Sequence, residues 1–226
     1  MSVRRTPEVT NGPVRRAAVA GIAGPIGFLA MAFGLSALRQ DVIVAQGWAS
    51  WPSSMALRGA VGIPMIGTFL WLTACYTVFS LGALRPALGH RAVWVGFLVI
   101  AAGDGLLAFP TDEPGVHPTW HGTVHLVGVV VVTLATLVAA AGVTIATRDR
   151  PGWRGWRLVA PVPFAAAALG AIGGFDVGWV KVVYVVGITL PVAVIGRTLR
   201  REGNDGGAAS TEARSAGSPW RSSRRT

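Results

Sequence analysis

The stretch AVWVGFLVIAAGDGLLAFPTDEPGVHPTWHGTVHLVGVVVVTLATLVAAAGVTIAT, residues 92–147, decides the fold. Two apolar runs, 92–109 and 120–147, flank a short polar segment containing Pro110, Pro114 and Pro118. As helices, both runs are long enough to cross a hydrocarbon core about 30 Å thick. A proline disfavours helix at the residue before it, so Phe109-Pro110 ends the first run. The second run starts near Pro118–Trp120, because proline suits a first helical turn. The stretch therefore predicts a membrane hairpin, with polar residues at its turn and a few sunk into its walls.

Outward from this hairpin, further apolar runs occupy 17–38, 59–84, 158–175 and 177–198. The expected fold is all-α, a polytopic bundle of six transmembrane helices. Residues 1–16 read as a basic cytoplasmic tail, 17–198 as the membrane domain and 199–226 as a disordered basic cytoplasmic tail. Composition agrees: the chain has 226 residues, 52% hydrophobic and 13% charged, against about a quarter charged in soluble domains. Small residues at close spacing, such as Gly21, Gly24 and Gly27, let membrane helices approach closely.

The net charge of +10 rests on 19 arginines and one lysine. Membrane topology explains it better than nucleic acid, because cytoplasmic segments collect Lys and Arg. With both termini inside, 17 of the 20 basic residues are cytoplasmic, and only Arg39, Arg58 and Lys181 face outward. The arginine bias is common in GC-rich genomes, so the expected location is a bacterial plasma membrane. Trp48, Trp51, Trp120 and Trp179 mark the expected outer interface, and Trp94, Trp153 and Trp156 the inner one. The first apolar run is long for a signal peptide and is read as a retained span. The one cysteine, Cys75, is read as packing.

The polar residues of the hairpin are the candidate site. Ionisable groups inside a membrane are costly and mark function by default. His121 and His125 are i and i+4 on one helix face. Counted from the helix ends, Asp104, His125 and Lys181 reach similar depth from three spans. Asp112, Glu113, His117 and Asp176 lie above them, with Arg58 at the outer start of the second span. An outward-opening pocket follows. Two imidazoles one turn apart suit a divalent metal such as Zn²⁺, with an aspartate completing the set. Asp104 and Asp112 suit general acid–base work, and Arg58, Lys181 and Asp176 suit ligand binding. In a purely structural alternative, Lys181 neutralises Asp104 and His125 bonds to a neighbouring span.

Phe109-Pro110-Thr111-Asp112 followed by His121-Gly122-Thr123-Val124-His125 resembles a family of six-span bacterial membrane proteins, domain of unknown function 998. That family carries a Phe-Pro-x-Asp turn and a His-Gly-x-x-His start to the next span. The resemblance covers about residues 17–198. It implies the six-span topology and highlights Asp112, His121 and His125, without naming a substrate. Trp51–Leu57 matches the family's loop before the second span only loosely. Outward Asp and His residues are also similar to those of the transmembrane hydrolases that include alkaline ceramidases. Their Ser, Asp and three-His motif is not reproduced here.

Two functional readings fit. One is a metal-assisted hydrolase or transferase acting on a lipid. The other is a non-enzymatic lipid- or ligand-binding envelope protein with a structural polar network. Membrane lipids are the expected partners, nucleic acid is not, and six spans are compatible with a homo-oligomer.

Overall fold

The computed structural model describes residues 11–38, 62–110, 117, 119–173 and 178–216, with side chains of the last helix described as far as Glu202. The described residues are helical, without a strand. In chain order the helices are α1 (Asn11–Leu38), α2 (Gly62–Phe79), α3 (Arg85–Leu88), α4 (Arg91–Leu107), α5 (Trp120–Thr147), α6 (Arg154–Val159), α7 (Val162–Gly173) and α8 (Gly178–Ala216). A π-helical turn, Ser80–Leu84, joins α2 to α3, and a 3-10 turn, Pro151–Trp153, precedes α6.

Five of these segments are long and apolar enough to cross a membrane: Gly12–Leu38, Gly62–Leu88, Trp120–Thr147, Pro151–Gly173 and Trp179–Glu202. α4 is shorter, at 17 residues. The chain is a multi-pass, all-helical membrane protein. α5 shows the logic on one helix. Leu126, Val130, Leu134 and Val138 are exposed at four-residue steps, an apolar stripe suited to lipid. His125, Gly128, Val132, Ala135, Ala139 and Val143 are buried on the opposite side.

The helices form a ring in chain order. α2 packs on α1, α4 on α2, α5 on α4, α7 on α5, α8 on α7, and α8 returns to α1. Small residues set the close approaches. A Cβ at Gly128 would stand 3.0 Å from the Gly103 carbonyl oxygen, and one at Gly96 3.1 Å from Ala139 Cβ. α8 meets α1 at Gly196, where a Cβ would stand 2.9 Å from the Ala18 carbonyl oxygen. Gly21, Gly24 and Gly27 face Phe79, Cys75 and Trp71 of α2 in the same way. Shape fit between backbones replaces water exclusion as the organising force.

Sequence breaks explain the local irregularities. Pro86 has no N–H, and its ring would clash with the carbonyl one turn earlier. The wide turn directly before it takes up that misfit: the Arg85 N–H reaches back to the Ser80 carbonyl, five residues away. α3 ends at Gly89, with φ of 66°, a left-handed position that favours glycine.

Two sequence expectations change at the inner end. Trp153 and Trp156, expected at the lipid interface, are 0% and 1% exposed. Trp153 Nε1 donates to Glu202 Oε1 at 2.9 Å, and Trp156 Nε1 to Thr144 Oγ1 at 3.1 Å. Each indole finds its partner inside the protein, which favours burial over the interface. The last helix is also longer than the expected run 177–198. α8 continues through Leu199-Arg200-Arg201-Glu202, where no residue breaks a helix, and Glu202 is docked by Trp153 and by Arg150 at 3.8 Å. Trp120 and Trp179 are exposed, as an interfacial position requires.

Candidate functional site

Antiparallel packing of α4 against α5 fixes the site. α4 runs to its end at Leu107, and the chain continues through Ala108 and Phe109. α5 starts at Trp120 and is capped by Thr119, whose Oγ1 accepts the Gly122 N–H at 3.2 Å. The same hydroxyl lies 2.6 Å from His121 Nδ1. The direction of that bond follows the imidazole tautomer, since a hydroxyl can accept twice and donate once.

His125, one turn further, is buried, and its Nδ1–H donates to the Phe109 carbonyl at 2.9 Å. A carbonyl only accepts, so Nδ1 carries the hydrogen and Nε2 is the remaining position for a ligand or proton. Phe69 of α2 closes one side of the imidazole, edge-on, with ring centroids 6.5 Å apart. Lys181 of α8 lies within electrostatic reach of His125. Phe69, Phe109 and His125 thus make one layer across α2, the end of α4 and α5.

Asp104 belongs to a second, deeper layer. It is 3% exposed, and its Oδ2 has no hydrogen-bond partner. Tyr76 of α2 and Tyr184 of α8 both lie within electrostatic reach of it. Tyr184 Oη is hydrogen-bonded to Thr133 Oγ1 of α5. Thr133 gives its own hydrogen to the Val129 carbonyl at 2.6 Å. The Tyr184 hydroxyl is therefore the donor in the pair, and its hydrogen is not offered to Asp104.

The expected depth match between Asp104 and His125 does not hold. Phe109, level with His125, is five residues beyond Asp104, about 7 Å along a helix. Gly103, next to Asp104, packs against Gly128 and Val132, one to two turns below His125. Helix register is set by these small-residue contacts, whereas the sequence estimate counted from each helix end. Lys181 does not neutralise Asp104 either: among the described residues no ion pair reaches that carboxylate. The expected bond from His125 to a neighbouring span is present, to the Phe109 backbone at the end of α4.

Among the described residues no group of three or more His, Cys, Asp or Glu side chains converges as a metal site. His121 and His125 are both engaged through Nδ1, to Thr119 and to Phe109. His117 is exposed. Arg58, Asp112, Glu113 and Asp176 lie outside the described residues. Sequence reading missed Tyr76, Tyr184 and Thr133. A signal was present: the chain has two tyrosines, and both border Asp104.

No family model, curated protein or solved structure matches the chain.

Proposed function

We propose that the chain is a six-span protein of a bacterial plasma membrane, with both termini cytoplasmic, that binds a phosphate-bearing ligand in an outward-facing pocket. One observation carries this reading: Lys181 of α8 lies within electrostatic reach of His125 of α5. Cationic and imidazole groups that converge from separate helices inside a membrane protein suit an anionic group of a lipid or other ligand. Arg58 and Asp176, outside the described residues, keep the roles the sequence suggests, Arg58 toward phosphate and Asp176 toward the cations. The Phe-Pro-Thr-Asp and His-Gly-Thr-Val-His signatures support membership of the six-span family 998.

Native mass spectrometry of the purified protein tests the reading. The wild type is expected to retain an anionic phospholipid that the Arg58→Ala/Lys181→Ala double variant loses. Equal retention by both would remove the basis for this pocket.

A second reading, a metal-assisted lipid hydrolase or transferase, has its own observation. A histidine that binds a metal through one nitrogen usually gives its other N–H to a carboxylate or backbone carbonyl. His125 makes that bond, to Phe109, at 2.9 Å. A metal here would draw on His121 and His125, with Asp112, outside the described residues, as the third ligand the sequence suggests, and its chemistry would be to polarise an ester or phosphoryl oxygen. Asp104 falls outside that set because it lies a layer deeper. Elemental analysis decides: stoichiometric zinc in the wild type, lost in His121→Ala/His125→Ala, supports this reading, and no zinc in the wild type rejects it.

A further inference from the structure

The hydrogen bond between Tyr184 and Thr133 lies near the lipid-facing surface of the bundle. Thr133 is half-buried, with the exposed Val130 and Leu134 on one side and the buried Val132 on the other. Val183, beside Tyr184, is exposed. Tyr184 itself is 5% exposed and reaches across from α8 to α5. Small residues of α7 leave room for it. A Cβ at Gly187 would stand 2.5 Å from Ala166 Cβ, and one at Gly173 3.1 Å from Val180 Cγ2. That antiparallel register sets the buried Gly170 opposite Tyr184. α7 leans on α8 and touches α5 only sparsely. At this level a pair of hydroxyls ties α5 to the α7–α8 pair.

Behind the hydroxyls lies Asp104. Val132, next to Thr133, packs on Gly103, next to Asp104, so the two sites share a level. On the other side of α4, Thr73 Oγ1 of α2 donates to the Ala101 carbonyl at 3.1 Å. With α2 at Ala101, α5 at Gly103, and Val95 and Val99 exposed, a helical step of roughly 100° per residue turns Asp104 toward the interior. Its Oδ2 meets no donor. Tyr76 brings a hydroxyl to the same region from α2, its ring edge-on to Phe97 at 5.8 Å, and does not bond that oxygen. Tyr184 is also within electrostatic reach, but its hydrogen is given to Thr133, which gives its own to Val129.

A hydroxyl with two acceptors in reach is a two-position element. On Thr133 it ties α5 to α8. On Asp104 it would supply the donor that the carboxyl lacks. Relief of a buried unmet acceptor offsets the bond given up, so the exchange has a low net cost.

We propose that Tyr184 is the bolt of a lateral entrance between α5 and α7. On Thr133 it shuts the bundle against the bilayer. Turned to Asp104, it opens a path by which an uncharged, lipid-soluble molecule reaches that layer from the membrane and not from water.

Carbodiimide labelling of the purified full-length protein in phospholipid nanodiscs tests the entrance. Dicyclohexylcarbodiimide dissolves in the bilayer and modifies carboxyls. Peptide mass spectrometry reads the adduct at Asp104, and Asp104→Asn removes it. Thr133→Val takes away the hydroxyl that Tyr184 bonds and should raise the labelling rate several-fold. Thr133→Ser keeps a hydroxyl and should match wild type. A water-soluble carbodiimide should leave Asp104 unlabelled in all three. Cys75, buried against Gly24 of α1 and away from the seam, reports general loosening. Its reaction rate with N-ethylmaleimide should be the same in wild type and Thr133→Val. Equal Asp104 labelling in wild type and Thr133→Val, or none in either, overturns the proposal. So does labelling by the water-soluble reagent at a comparable rate, which would place the access on the aqueous side. A Cys75 rate that rises together with that of Asp104 also overturns it, because the whole bundle would then have loosened.

Discussion

His125 donates its Nδ1 hydrogen to the Phe109 carbonyl at 2.9 Å, and so ties the start of one membrane helix to the end of the helix before it. The bond closes the hairpin just below its polar turn. It also fixes which imidazole nitrogen faces a partner. Replacing His125 with Ala strands a carbonyl where water is scarce. A loss of about 1–3 kcal/mol is expected, read as a lower midpoint of thermal unfolding in detergent. His117→Ala, at an exposed position, should leave the midpoint unchanged. Equal midpoints for both variants would mean that the bond contributes nothing.

The register of α4 on α5 depends on Gly128 and Gly103. A Cβ at Gly128 meets the Gly103 carbonyl oxygen and Leu106 Cβ, both at 3.0 Å, and a helix backbone cannot move aside cheaply. Gly128→Val should therefore sharply reduce the yield of monodisperse protein on size exclusion. Gly67→Ala, with nothing within 4 Å of its Cβ, should behave as wild type or better, since alanine favours helix.

At the opposite end, the buried Trp153 indole donates to the half-buried Glu202. Glu202→Ala leaves the indole N–H without its acceptor and should cost about 1–3 kcal/mol of stability. Glu202→Gln keeps an acceptor and should cost less. Unfolding midpoints of the two variants check the order, and the reverse order would rule out a role for this bond.

The proposed topology has a direct chemical check. In a Cys75→Ala background, His117→Cys should react with a membrane-impermeant maleimide applied to intact cells. Arg148→Cys should react only after permeabilisation. Labelling of Arg148→Cys in intact cells would invert the bundle.

The apolar runs located the long helices well, because a run of some twenty residues without charge has few ways to be satisfied other than as a helix. The expected run 120–147 coincides with α5 residue for residue, since Thr119 caps its start and Arg148 closes the apolar stretch. Arg157 then donates to the carbonyls of Arg148 and Arg150, sealing that end. Vertical register was not legible in this way. It depends on which small residue of α4 meets which of α5, a pairwise fact that spacing along one chain does not contain. The two layers therefore read as one. Tyr76, Tyr184 and Thr133 stayed hidden for a related reason. Single polar residues in apolar runs look like packing until the helices that carry them are seen side by side.

The wide turn at Ser80–Leu84 has a consequence for the whole second span. One extra residue is accommodated there, so the side chains after it point about 100° away from where an unbroken helix would send them. The part before the turn carries Phe69 and Tyr76 toward the polar layers. The part after it turns Ala83 and Leu84 into the core, and Arg85 over the face of Trp94, 5.4 Å from its centroid. Removing a single residue from this turn would restore a regular helix, and every inner side chain would then meet the wrong neighbour. The span is thus two half-helices in different phase, and its length is fixed to the residue, even where composition alone would tolerate change.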